Sequence, residues 1–155
     1  MSVAFRRESD DEHLEPTFEI PIPPGPNLVT ARGLALIAGK VAELEAALLP
    51  LTDEVEVKKV RRELRYWSTR QATAQLAPQP GGATVEFGCT VTFALRGKVK
   101  TITIVGDDEA DPADGLVSFS APLSRAMMGA EEGDFADFGG EADAIEIQEI
   151  RVPAA

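Results

Sequence analysis

Two groups of carboxylates carry most of the chemistry open to this 155-residue chain. The first is Asp53, Glu54 and Glu56. Carboxylates at the end of a rigid rod can present a divalent ion at a distance, because Mg2+ is held by a few carboxylates together with oxygens supplied from elsewhere. The same acids at the start of a helix can instead cap it, with their charge at the positive end of its dipole. Spacing by itself favours the cap, since acids are common in a first helical turn. The second group is Asp107, Asp108, Glu109, Asp111 and Asp114. It lacks the full spacing of an EF-hand loop and reads as a solvated acidic turn. Opposite in sign is the stripe Lys58, Lys59, Arg61, Arg62, Arg65 and Arg70. Such a stripe can track phosphates, or it can be a solvated face partnered in part by Glu43, Glu45 and Glu63. No aromatic residues interleave it in the way of a single-strand-binding surface.

The rest of the composition mainly excludes. One cysteine (Cys89) and one histidine (His13) leave no internal disulfide, and they argue against a Cys/His metal site or a thiol–imidazole pair. Cys89 falls on the apolar side of a candidate strand and reads as core. The chain has no phosphate-binding G-x-x-x-x-G-K-[ST] loop, no dinucleotide fingerprint after a strand and no nucleophile elbow. We therefore assign no catalytic residue and no metal-ligand set. The net charge of −11 is uneven: residues 101–149 hold thirteen acids and a single base, Arg125. That field repels nucleic acid and favours a basic protein partner, although acidic surfaces also simply keep proteins soluble. The first residues lack the apolar run of a signal peptide, and no stretch approaches the ~20 apolar residues that span a bilayer. The expected location is the cytoplasm, with no membrane contact.

These groups need elements to position them. Residues 1–26 form an acidic tail ending in four prolines between Glu19 and Pro26, which preclude a helix. It reads as a disordered lead-in or as a proline-rich ligand for another domain. From Thr30, a candidate cap, Leu34, Ile37, Val41, Leu44 and Leu48 recur at spacings of three and four. Pro50 stops that stripe. A second stripe follows in Val57, Val60, Leu64, Trp67, Gln71 and Ala74, with Thr52 or Asp53 as its cap. Two apolar stripes joined by a short turn predict an antiparallel helical hairpin, a short coiled coil, over residues 27–77. One chain satisfies the seam, so a monomer is expected. Residues 78–82, Pro-Gln-Pro-Gly-Gly, form a linker. Beyond it the period becomes two, with Val85, Phe87, Cys89, Val91 and Phe93 as a half-buried strand. Arg96-Gly97-Lys98 turns this strand into a return over 99–105. The acidic loop follows, then a short strand at 116–119 and a short helix opened by Pro122 and closed at Gly129. Two last strands meet at Gly139-Gly140, with Ala144, Ile145, Ile147 and Ile150 as core candidates. The fold class is α+β: the hairpin, then an antiparallel sheet domain over 83–151 with one short helix.

Four strings occur in order in that second part. They are Val85-Glu-Phe-Gly-Cys-Thr-Val-Thr92, Thr103-Ile-Val-Gly-Asp-Asp-Glu-Ala-Asp-Pro112, Val117-Ser-Phe-Ser-Ala-Pro-Leu-Ser-Arg-Ala-Met-Met-Gly129 and Gly139-Gly-Glu-Ala142. Together they resemble the C-terminal domain of the GreA/GreB transcript-cleavage factors. Thr30-Ala-Arg-Gly-Leu34 and Thr73-Ala-Gln-Leu76 resemble the two ends of that family's coiled-coil hairpin. The resemblance implies an FKBP-like sheet domain that docks on the rim of the RNA polymerase secondary channel. Ser120, Pro122, Leu123 and Arg125 match the docking region, and Asp107, Asp108, Glu109 and Asp111 lie in the matching acidic string. It also implies a hairpin that enters the channel, where tip carboxylates share a Mg2+ with the polymerase active site. Here the sequence departs from the family. Nothing between Leu49 and Leu64 matches the cleavage tip, approximately Gly-Asp-Leu-x-Glu-Asn-Ala-Glu-Tyr. The hairpin is also short, at about 1.5 Å of reach per missing residue. In this it is similar to Rnk, the relative called a nucleoside diphosphate kinase regulator. The resemblance implies a factor that is not itself an enzyme, because the polymerase does the hydrolysis, and the expectation is a polymerase-binding regulator without efficient cleavage. Two alternatives stay open: a cleavage-competent factor using Asp53 and Glu54, and an FKBP-like prolyl isomerase.

Overall fold

The computed structural model describes residues 19–153. Its first large element starts where Thr30, in extended backbone, accepts the Gly33 N–H on its hydroxyl at 3.0 Å. Helix α1 runs from there over Ala31–Leu48. The chain then turns, and Asp53 caps the return helix α2, Glu54–Thr73, by accepting the Val55 N–H at 3.2 Å. Ile37 and Leu44 of α1 are buried, and Leu34, Val41 and Leu48 half-buried, as the stripe requires. On α2, Val57, Val60, Leu64 and Trp67 are half-buried, but the predicted continuation is not. Gln71 is exposed and Ala74 lies beyond the helix; the buried residue at that end is Arg70.

A short clasp that the sequence reading missed ties the two ends of the hairpin together. Strand β1 (Leu28–Val29) precedes α1 and pairs in parallel with β2 (Gln75–Leu76), which follows α2. The Gln75 N–H donates to the Asn27 carbonyl at 2.8 Å, and the Ala77 N–H to the Val29 carbonyl at 3.0 Å.

The sheet domain contains β3 (Thr90–Leu95), β4 (Lys98–Val105), β5 (Leu116–Ser118), β6 (Phe135–Phe138) and β7 (Glu141–Arg151), in the spatial order β5-β4-β3-β7-β6. Helix α3 (Pro122–Met127) starts with proline, as expected, and its Met127 joins the core. The first strand is shorter than predicted. Val85 and Cys89 are buried as the alternation demands, but Gly88 takes φ +93° and the Cys89 N–H closes a turn on the Glu86 carbonyl. The β3–β4 turn is the expected tight one, with Arg96 and Gly97 both at positive φ. The sheet is not wholly antiparallel, because β5 pairs with β4 in parallel. Parallel neighbours cannot be joined by a tight turn and need a crossover. Residues 106–115, which contain the acidic group, are that crossover. All four apolar candidates of the last strand are buried. Ile147 and Ile150 break the period of two, and a bulge at Gln148 resets it: Thr92 pairs with Glu149, then Phe93 with Ile147.

Candidate functional site

The crossover places its carboxylates against the base of the hairpin. Arg70 donates from Nε to Asp108 Oδ2 at 2.6 Å and from Nη2 to Asn27 Oδ1 at 2.9 Å, and its Nη2 lies 3.9 Å from Asp107 Oδ2. Asn27 returns its amide N–H to the Arg70 carbonyl at 2.8 Å. Tyr66, one turn before Arg70, donates its hydroxyl to Asp108 Oδ1 at 2.5 Å. A second set lies beside it. Thr30 donates its hydroxyl to Glu109 Oε1 at 2.6 Å, and Arg32 stands 3.5 Å from Glu109 Oε2. Thr30 thus caps α1 and holds the loop at once. Arg70 and Glu109 are buried, at 2% and 7% exposure. A buried guanidinium needs both charge and hydrogen-bond partners, and its forked geometry supplies several directions at once.

This arrangement corrects two readings. The acidic loop is not a solvated turn along its whole length: Asp107 and Asp108 are half-buried and Glu109 is buried, whereas Asp111 and Asp114 are exposed. Arg70 likewise leaves the exposed basic stripe and becomes the centre of the contact. Two glycines make the approach possible. A Cβ on Gly106 would stand 2.3 Å from the Leu28 carbonyl oxygen, and one on Gly33 would stand 2.9 Å from Glu109 Oε1. Asn27, Tyr66, Thr30 and Arg32 were not singled out as partners of this loop. The available signal was the glycine beside each group, Gly106 before the acids and Gly33 after Thr30.

The expected docking residues fall into two sets. Asp107 accepts the hydroxyls of Ser118 at 2.5 Å and Ser120 at 2.8 Å, so the start of the loop and the approach to α3 form one surface. Pro122 and Arg125 are exposed there, and Leu123 packs against the core. Asp108 and Glu109 instead face the hairpin. At the far end, Asp53 spends one oxygen on its cap, while Glu54 and Glu56 stand exposed beside the apolar Leu49 and Val55. Among the described residues, no group of three or more His, Cys, Asp or Glu side chains is placed to hold a metal ion. His13, to which no role was assigned, lies outside the described residues.

Two ionisations follow from burial. The Tyr66 hydroxyl is pushed up to about 12, first by desolvation and then by its hydrogen bond to Asp108. Burial also raises the Cys89 thiol, which suits a core side chain and not a nucleophile. Among the described residues, no helix is long and apolar enough to cross a membrane.

The fold and the clasp define an α+β protein in which a helical hairpin is fixed by its base to a five-stranded sheet. Residues 79–151 match the family described as transcription elongation factor GreA/GreB, C-terminal domain. The transcription elongation factor GreA of Hyphomonas neptunium is 33% identical over 120 residues, covering 76% of this chain and 63% of that protein. GreA of Alkalilimnicola ehrlichii is 47% identical over 72 residues, covering 43% of this chain and 45% of that protein. The chain thus spans less than two thirds of either relative. Among solved structures, the GreA/GreB factor of Nitrosomonas europaea covers 83% of this chain and 99% of that one, at 18% identity and a TM-score of 0.39.

Proposed function

We propose that this chain is a cytoplasmic transcription regulator that binds RNA polymerase, places its hairpin in the secondary channel and does not support efficient transcript cleavage. The observation that carries this reading is a sheet domain of the GreA/GreB family joined to a hairpin whose tip acid Asp53 is used as a helix cap. Helices of 18 and 20 residues give a rod of roughly 30 Å. A metal ligand must come within about 2 Å of its ion, so a tip one turn short delivers no catalytic carboxylate. The sheet domain and the approach to α3, with Asp107, Ser120, Pro122 and Arg125, form the docking side. The chain itself is not the catalyst in this reading. A prolyl-isomerase role is less well supported, because Phe93 is fully buried and Phe87 and Phe119 pack edge to face at 5.5 Å.

The test is binding to core RNA polymerase with a GreA-type factor added as competitor. Competed binding at micromolar concentrations is expected, and its absence refutes the reading. A cleavage assay on a stalled complex then decides the tip. The exposed Glu54 and Glu56 favour the second reading, a cleavage-competent factor. In that case Asp53→Ala/Glu54→Ala abolishes cleavage and keeps binding, whereas our reading expects little cleavage to lose.

A further inference from the structure

The β6–β7 hairpin leaves one edge of the sheet uncovered. β6 pairs with β7 on one side, and among the described residues no strand pairs with its other side. Between Glu131 and Asp143 only Ala136 and Phe138 are even half-buried, because these two turn inward onto the core. Phe135 and Asp137 alternate with them and stand on the outer face of the sheet, where Phe135 is 57% exposed. Glu146 of β7 pairs with Phe135 in register and is exposed beside it. Residues 131–149 hold eight acids and no base. Arg96 reaches this hairpin from the β3–β4 turn, but it is spent on Glu141 and on the Phe138 carbonyl. Asp134, Asp137, Asp143 and Glu146 form no ion pair among the described residues.

We propose that the outer edge of β6 is a docking site for a short, extended, basic segment of a partner protein, which adds there as a further strand. An open edge offers a row of backbone N–H and C=O groups. Strand addition draws its affinity from them, and side chains set the choice of partner. Charge alone is also a common way to keep an edge unpaired. Phe135 argues the opposite way, because an exposed ring on an edge gives an incoming strand an apolar contact, and aromatic cross-strand pairs are stabilising. The charge then selects the occupant. A second copy of this chain brings Asp134 and Asp137 against the same acids, and like charges across a strand pair are destabilising. Nucleic acid is repelled in the same way. A basic segment is attracted. Side chains alternate along a strand, so an aliphatic residue beside Phe135 and bases two positions to either side share the face that carries Asp137 and Glu146. The four residues of β6 span roughly 13 Å, which limits the contact to a few residues of the partner.

The test uses the full chain and does not involve the polymerase. The probe is the capped peptide Lys-Lys-Thr-Val-Thr-Lys-Lys, added at 50 mM NaCl while backbone amide signals are followed by NMR. Saturable shifts are expected at Phe135–Phe138, with a Kd below 1 mM. No saturable shift there overturns the proposal. The same peptide N-methylated on its three central residues keeps every charge and loses the backbone donors on both of its edges. It is expected to bind at least tenfold more weakly, and equal binding reduces the contact to charge attraction and overturns strand addition. Phe135→Thr keeps a strand-forming residue at an exposed position and is expected to weaken the parent peptide at least fivefold. An unchanged affinity in that variant removes the ring from the site and overturns the choice of this edge.

Discussion

Arg70 shows how much one side chain can hold. It joins the end of α2, the segment before β1 and the crossover loop through three different partners. Truncation leaves Asp108 and Asn27 without it in a site from which water is largely excluded. Arg70→Ala is expected to cost about 3 kcal/mol, the usual scale for breaking a buried pair from one side. Arg70→Lys should lie between that variant and the parent, because an ammonium cannot reach in two fixed directions. Urea denaturation midpoints check both, and an Arg70→Ala loss below about 1 kcal/mol would contradict the account. Tyr66 gives an independent readout, since it is the sole tyrosine. Its absorbance at 295 nm should titrate near 12, and Asp108→Asn should move the midpoint down towards the ordinary value of about 10. The sign is fixed by linkage. The native state keeps this proton above the pH at which the unfolded chain loses it. The stabilisation is therefore complete below about pH 10 and is lost as pH rises through about 12.

At the scale of elements, the hairpin helices are set by caps and by where side chains are missing. Asp53→Ala removes the cap of α2 and should cost about 1 kcal/mol. If Asp53 served only a partner, stability would not change. Two glycines should respond in opposite ways to alanine. Gly106→Ala drives a Cβ into the Leu28 carbonyl, a backbone atom that cannot turn aside, and should cost roughly 1–3 kcal/mol. Gly39 lies inside α1 with nothing within 4 Å of its would-be Cβ. Gly39→Ala should therefore stabilise by about 0.5–1 kcal/mol. Thermal melts of the two variants decide whether close approach or helix propensity governs each position.

For the whole molecule, the clasp makes the hairpin a lever with a fixed base. A shared cap and a buried ion pair cross the junction between the clasped base and the sheet domain, so the angle between rod and sheet is set by several bonds at once. If the hairpin acts in a channel, as we propose, loosening its base should matter although no clasp residue reaches the tip. Gly33→Ala and Arg70→Ala are expected to weaken polymerase binding by tenfold or more, even where most of the chain remains folded. Fluorescence of Trp67, the sole tryptophan, reports on the folded fraction in the same samples. Unchanged affinity in folded protein would mean that the angle is not part of recognition.

Local pattern determined the elements. The three-and-four stripes, Thr30, Pro50 and Asp53 specify two helices and their turn, because periodicity and caps act within a few residues. Alternation specified the sheet core down to Val91, Phe93, Ile145 and Ile147, and the strings around Gly106 and Pro122 carried the resemblance to the GreA/GreB C-terminal domain. Only the tertiary structure decided what the charges do. Asp108, Asp111 and Arg70 read alike as exposed, since a charge carries no local sign of its burial. That depends on a partner tens of residues away and on a Cβ-free approach at Gly106. The strands β1 and β2, at two residues each, have too little pattern to read, and they form only where folded elements bring them together; β4 and β5 were legible as strands, but their parallel pairing was not, because a strand's own pattern does not name its neighbour.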